Sequence, residues 1–287
     1  MVSNMKISRY LDNLESLENK EIIVTGGTSG IGLSIVHHLL YKHANAIILA
    51  RNKNKSLEVK TNLLKIYPDA KIDFIYYSQD DLASIDAAIK EIMEHHPNFY
   101  AMIFNAGIFA RDNYQNELSL TMKTNFIGTG YFLKKLVPLL QGEHRLIIQG
   151  SLVAGWRNKK IKDLEDKTSS FNQYIISKSG VEALYYYYSN INKDDISFYL
   201  VEPGLTSTEI IRDFPKVIRF LGKIFLKVFS HSSSKAALTA LLALQSNVKP
   251  CFIVPRGPFT MRGYPKIKAF PKKRHRTELL SKLDKYI

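Results

Sequence analysis

From Glu21 onward, short β-branched runs alternate with longer stretches of helical period, and this alternation constrains the fold more than any other feature of the chain. Strands are predicted at Ile22–Thr25, Ala46–Ala50, Ile72–Tyr77, Ala101–Phe104, Leu146–Gln149, Ser197–Val201 and Cys251–Val254. Helices are predicted near Ile31–Lys42, Lys55–Tyr67, Leu82–His95, Glu117–Leu140, Asn172–Asn190 and Lys235–Gln245. Strand followed by helix, many times over, gives a parallel sheet covered on both faces. Right-handed crossovers then make a doubly wound α/β sheet of about seven strands the expected architecture. No Pro/Gly/Ser-rich linker divides the chain, so residues 1–287 are expected to form one domain with its core between about 21 and 255.

Composition narrows the function classes. With 45% hydrophobic and 23% charged residues the chain has the makings of a folded core, not of a disordered segment. A single cysteine, Cys251, makes no intrachain disulfide and supplies no multi-thiolate metal site, so no metal is expected and a reducing, cytoplasmic location is the default. The first twenty residues are too charged for a secretory signal, and apolar runs such as Ala236–Leu244 fall short of the ~20 residues that span a bilayer.

The first strand runs into Thr25-Gly26-Gly27-Thr28-Ser29-Gly30-Ile31-Gly32, followed by an apolar helix. Gly26 suits the sharp turn, Gly30 lets backbone N–H groups approach a pyrophosphate, and Gly32 lets the helix lie close on the sheet with its positive end toward the anion. The spacing differs from Gly-x-Gly-x-x-Gly, and no Lys-Ser/Thr closes the loop, which argues against an ATP or GTP P-loop. In a Rossmann-type sheet, this first turn is where a dinucleotide sits. The second strand ends in Ala50-Arg51-Asn52, with no carboxylate for a ribose 2′-hydroxyl; the Arg51 guanidinium suits a 2′-phosphate, which favours NADP over NAD. Asp81 follows the third strand, where it either accepts from the adenine amino group or caps the next helix.

Further motifs occur in one order: Asn105-Ala106-Gly107, Asn125, Ser151, Tyr174-Ile-Ile-Ser-Lys178 and Pro203-Gly204-Leu-Thr-Ser-Thr208. Together with Thr25–Gly32 this series resembles the short-chain dehydrogenase/reductase family over roughly Glu21 to Pro255. Tyr174 and Lys178 are four apart, hence on one helix face, and an ammonium near a phenol favours phenolate, so Lys178 is expected to lower the pKa of Tyr174. The resemblance implies that Tyr174 exchanges a proton with the substrate oxygen while hydride moves to or from nicotinamide. Lys178 would bond the nicotinamide ribose, Ser151 would orient the substrate oxygen, and Asn125 would support a water-mediated proton path. It implies further that Asn105 braces the sheet, that Ala106 and Gly107 pass close to the adenine ribose, and that Pro203, Gly204, Thr206 and Thr208 line the nicotinamide side.

The long interval between Ser151 and Tyr174, with Leu49-Ala50-Arg51-Asn52, resembles the branch holding retinol dehydrogenases, WW-domain oxidoreductase and protochlorophyllide reductase. That implies a small-molecule carbonyl or alcohol substrate, bulky or apolar. Residues 209–230 are the expected substrate lid, whose cations Arg212, Lys216, Arg219, Lys223 and Lys227 step by three or four. Such a helix is amphipathic enough for peripheral membrane contact, although lysines facing water over an apolar lid are the favoured reading.

The net charge of +14 and the run Lys272-Lys273-Arg274-His275-Arg276 raise nucleic-acid binding, but no recognition module accompanies them. Residues 266–287 are therefore read as a solvated basic tail. Tyr185–Tyr188 share the helix of Lys178, on which the resemblance implies a homodimer or homotetramer. The competing function is a catalytically idle dinucleotide sensor on the same fold.

Overall fold

The computed structural model describes residues 2–110, 118–156, 164, 168–191, 195–206, 230–274 and 276–287. Eight strands form one sheet: β1 (Glu21–Thr25), β2 (Asn45–Ala50), β3 (Ile72–Tyr76), β4 (Ala101–Phe104), β5 (His144–Gln149), β6 (Ile196–Val201), β7 (Phe252–Pro255) and β8 (Pro265–Lys268). Their order is β3-β2-β1-β4-β5-β6-β7-β8. The first seven run parallel, and β8 is antiparallel to β7. Chain direction across the sheet reverses beside β1, which pairs with β2 on one edge and β4 on the other; the crevice at such a switch point is where doubly wound sheets bind ligands.

Strand alternation explains the two layers. In β1, Ile23 joins one buried cluster while Ile22 and Val24 join the other, because successive side chains point to opposite faces. The first cluster is completed by α4 (Leu82–His95), α6 (Thr129–Leu136) and α7 (Ser170–Ser189). The second takes α2 (Gly30–Tyr41), α3 (Lys53–Ile66) and α9 (Leu238–Ala243), which follows the short α8 (Ser233–Ala236). An N-terminal helix, α1 (Val2–Asp12), adds Ile7 and Leu11 to this second layer.

The predicted helix over residues 117–140 begins outside the described residues and is not regular. A short α5 (Leu120–Met122) widens into a π turn at Lys123–Gly128 before α6, and such turns recur at functional sites. The predicted solvated tail is also corrected. Leu279 and Leu283, just before and within α10 (Leu280–Leu283), are buried, and Phe270, Leu280, Tyr286 and Ile287 pack against the same core. Apolar residues spaced along the basic segment bury one face of it, and Leu283 comes so close to Gly130 on α6 that a Cβ there would lie 2.6 Å from its Cδ2.

Candidate active site

The glycine-rich turn is built by close approach. Gly26 has φ 69°, and a Cβ on Gly32 would lie 2.3 Å from the Gly26 carbonyl oxygen, so neither position tolerates a side chain. At Gly30, φ is 55° and a Cβ would meet nothing within 4 Å, which leaves open space in front of the α2 N-terminus. Ser29 makes no side-chain cap bond there, so the first-turn N–H groups of α2 stay available to an anion. Ser29 and Gly30 are exposed, whereas Thr28 and Ile31 are half-buried.

Thr25 and Asn105 sit behind this turn and hold it. The Thr25 Oγ1 accepts from the Ala106 N–H at 2.9 Å, and Asn105 Nδ2 donates to the Thr25 carbonyl at 2.9 Å. These bonds tie the ends of β1 and β4 together, so both residues act as braces, with Thr25 itself buried.

Arg51 lines an open recess of about 520 Å³ with Asn52, Lys53, Asn54 and Ser78. Lys53 is a second cation that sequence reasoning missed, although its place one residue beyond Asn52 was visible. Asn52 caps α3 by accepting from the Lys55 N–H at 2.9 Å. Asp81 is likewise the N-cap of α4: its Oδ1 accepts from Ala83 at 3.1 Å and Ser84 at 3.4 Å.

The reacting end gathers Asn125, Ser151, Tyr174 and Lys178 around the loop after β4. Asn125 lies in the π turn, where its Oδ1 accepts from the Ile108 N–H at 2.8 Å and its Nδ2 donates to the Ile108 carbonyl at 2.9 Å and to Ser177 Oγ at 3.0 Å. A Cβ on Gly107 would lie 3.1 Å from Lys178 Nζ and 3.2 Å from Asn125 Oδ1, so this glycine keeps both polar groups in reach of the crevice. Lys178 Nζ donates to the Gln149 carbonyl at 3.2 Å, at the end of β5. Tyr174, one turn earlier on α7, packs edge-on against Phe109, with ring centroids 5.6 Å apart.

Burial raises the Tyr174 phenol above its ordinary value, and a hydrogen bond from Ser151 pulls the other way. This corrects the expectation that Lys178 lowers it: burial dominates, and the opposing group is the serine hydroxyl. Burial in turn lowers Lys178 to about 8, against the pull of Glu182 one turn further along α7.

After β6, Gly204 has φ 75°, and a Cβ there would lie 2.5 Å from the Met261 carbonyl oxygen. The segment is tied down from outside the motif: His231 Nε2 bonds the Pro203 carbonyl at 2.6 Å, and Thr206, buried, forms an isolated parallel bridge with His231. Thr208 and residues 209–229 of the expected lid lie outside the described residues.

Sequence reasoning also missed a buried charged group beneath Ser151. Glu182 on α7 and Glu202 after β6 both bond Arg274, a member of the basic run read as solvated. Nothing local in the sequence pairs residues so far apart.

A Rossmann-type sheet with a glycine-rich first turn, a Ser just beyond β5, an Asn in the π turn before α6 and a Tyr and Lys one turn apart on α7 is the arrangement of a nicotinamide-dependent oxidoreductase. The chain belongs to the short chain dehydrogenase family, which matches residues 20–217, and is an NAD(P)-dependent oxidoreductase of that family. A short chain dehydrogenase of Aspergillus sclerotiorum is 30% identical over 128 residues, 44% of this chain and 36% of that one, so the match spans about a third of that relative. The short-chain dehydrogenase/reductase pkfC of Emericella nidulans is 25% identical over 252 residues, 80% of each chain. A polyprenol dehydrogenase of Danio rerio is 23% identical over 81% of this chain and 76% of that one. Among solved structures, an NADPH-dependent 3-quinuclidinone reductase of Rhodotorula rubra shares the fold with a TM-score of 0.66, 17% identity and coverage of 84% and 91% of the two chains.

Proposed function

We propose that this protein transfers hydride between NADP(H) and a bulky or apolar carbonyl or alcohol. The observation that carries the reading is the convergence of Asn125, Ser151, Tyr174 and Lys178 on one crevice. Bound nicotinamide would supply or accept the hydride. The α2 N-terminus and Gly30 would receive its pyrophosphate, Lys178 its ribose, and Pro203, Gly204, Thr206 and Thr208 its carboxamide side.

The chain's own residues then handle the proton. A phenol held protonated by burial is suited to donate to a carbonyl oxygen in the reductive direction, and the Ser151 hydroxyl orients that oxygen beside it. Lys178, lowered by burial to about 8 and so still mostly charged near neutrality, offsets the phenolate that results. Asn125 fixes the loop bearing Gly107, over which a proton path by water would run.

Arg51 and Lys53 in one recess support NADP over NAD. An apolar substrate is supported by the branch resemblance and by the polyprenol dehydrogenase among the relatives. Cys251, a free cysteine, suits a reducing cytoplasm, and among the described residues no helix is long and apolar enough to cross a membrane. A homodimer or homotetramer is proposed from the family, to be checked by light scattering.

The test is a panel of aldehydes, ketones and alcohols followed by nicotinamide absorbance with both nucleotides. Tyr174→Phe is expected to lose about 10²–10⁴-fold in kcat with nucleotide affinity kept. Wild-type protein that binds nucleotide yet turns over nothing, with a partner interaction untouched by Tyr174→Phe, overturns the enzyme in favour of a sensor.

A further inference from the structure

Arg274 reaches the reacting end of the site from a part of the chain beyond the residues, 20–217, that match the family. Its Nε donates to Glu182 Oε2 at 2.8 Å. Its Nη2 donates to Glu182 Oε1, to Glu202 Oε1 at 2.5 Å and to the Ser151 carbonyl at 3.3 Å. The Ser151 backbone in turn helps to hold the Glu182 carboxyl down against the rise that burial causes. The Glu182–Arg274 pair therefore lies against the backbone of Ser151 and holds its carbonyl, while the Ser151 hydroxyl acts on the Tyr174 phenol.

The setting is closed on several sides. The guanidinium carbon lies 5.4 Å from the Phe252 ring centroid and 5.9 Å from that of Phe270. A Cβ on Gly155, in the turn that follows Ser151, would come within 3.5 Å of Arg274 Cδ. Side-chain exposure is 1% for both glutamates and 10% for Arg274, so three charge-bearing groups are buried together. Apolar residues of similar volume are often at least as stabilising as such a group, so stability alone accounts poorly for it. What the contacts do explain is the fixed geometry of the Ser151 turn, whose carbonyl also takes the Ala154 N–H at 3.0 Å.

We propose that Arg274 is a positioning residue for hydride transfer: it clamps the Ser151 turn, together with Glu182, so that the serine hydroxyl stays on Tyr174 where a carbonyl oxygen must arrive. The inference rests on the functional reading above. Glu202 is the third point of the clamp and anchors it to the strand end from which Pro203 and Gly204 depart.

Arg274→Met alone strands two buried acids and is expected to destabilise the protein. The decisive variant is Arg274→Met/Glu182→Gln/Glu202→Gln, which removes the three buried charges together and with them the arginine's bond to the Ser151 carbonyl. Three measurements are made on it: urea unfolding, steady-state kinetics on the best carbonyl of the panel, and backbone amide exchange over residues 150–156. The expected result is a folded protein whose kcat falls about 10²-fold and whose KM and NADPH affinity stay within about threefold, with faster exchange over 150–156. Arg274→Lys, which keeps the charge but not the fork, is expected to fall in between. A folded triple variant with wild-type kcat, or a loss confined to KM, or unchanged exchange, overturns the proposal. Wild-type protein that reduces no carbonyl would defeat the functional reading instead, and the exchange comparison alone would then decide whether Arg274 holds this turn.

Discussion

Lys178 and Glu182 stand one turn apart on α7, both buried, and their charges are answered in different directions. The lysine donates to the Gln149 carbonyl, while the glutamate bonds Arg274. Burial pushes the Glu182 carboxyl up to about 8, Arg274 opposes that rise, and Glu202 adds to it, so one guanidinium serves two buried acids. Lys178 is lowered to about 8, so the two groups titrate in one narrow range.

Stability should accordingly pass through a minimum near pH 8. Glu182 is raised from 4.5, so its contribution is complete below that value and is lost as pH climbs through about 8. Lys178 is depressed from 10.5, so its contribution is complete above that value and is lost as pH drops through about 8. Urea midpoints measured from pH 5 to 10 should fall and then recover, and Glu182→Gln should flatten the acidic limb only. A midpoint that stays flat from pH 5 to 8 would show that Glu182 is ionised throughout.

Arg51→Ala should discriminate the nucleotides. A charge-assisted bond to a phosphate contributes ~1.5–3 kcal/mol, so KM for NADPH is expected to rise at least about tenfold with KM for NADH little changed. Adding Lys53→Ala should widen the gap. Equal losses with both nucleotides would mean that the recess does not read a 2′-phosphate.

Gly107→Ala should hurt turnover more than folding. The new methyl group would sit 3.1 Å from Lys178 Nζ and 3.2 Å from Asn125 Oδ1, tight enough to push one of them aside. Overpacking of this kind costs about 1 kcal/mol or somewhat more, whereas a displaced Lys178 should lower kcat by about tenfold or more. Paired melts and rate measurements would separate the two effects.

Leu283→Ala tests whether the C-terminal segment belongs to the core. The side chain is 4% exposed and packs on Gly130, so its loss is expected to cost ~2–5 kcal/mol in urea unfolding. In a solvated tail the same change would fall within about 0.5 kcal/mol.

The seven parallel strands and most of the site were legible because each is a local pattern: β-branched runs, a glycine turn, and Tyr174 and Lys178 one turn apart. The eighth strand, Pro265–Lys268, was missed because four residues with lysine at two of them give little alternation, and only pairing with β7 makes them a strand. The basic run concealed Leu279, Leu283, Tyr286 and Ile287, which step at helical spacing once the lysines are set aside. Burial was the other hidden quantity. Spacing places Lys178 near Tyr174, but how much water each retains depends on packing from distant segments, and that decided the direction of both shifts.

The clamp on Ser151 also sets an order in time. Glu182 leaves the ribosome 92 residues ahead of Arg274, and Glu202 leaves 72 ahead of it. Until the arginine emerges, both acids lack their counter-ion, so the nascent sheet cannot bury them without a large desolvation cost and the catalytic turn stays loose. Prematurely terminated chains would thus carry the nucleotide-binding half without a primed reaction centre, a built-in delay between synthesis and competence.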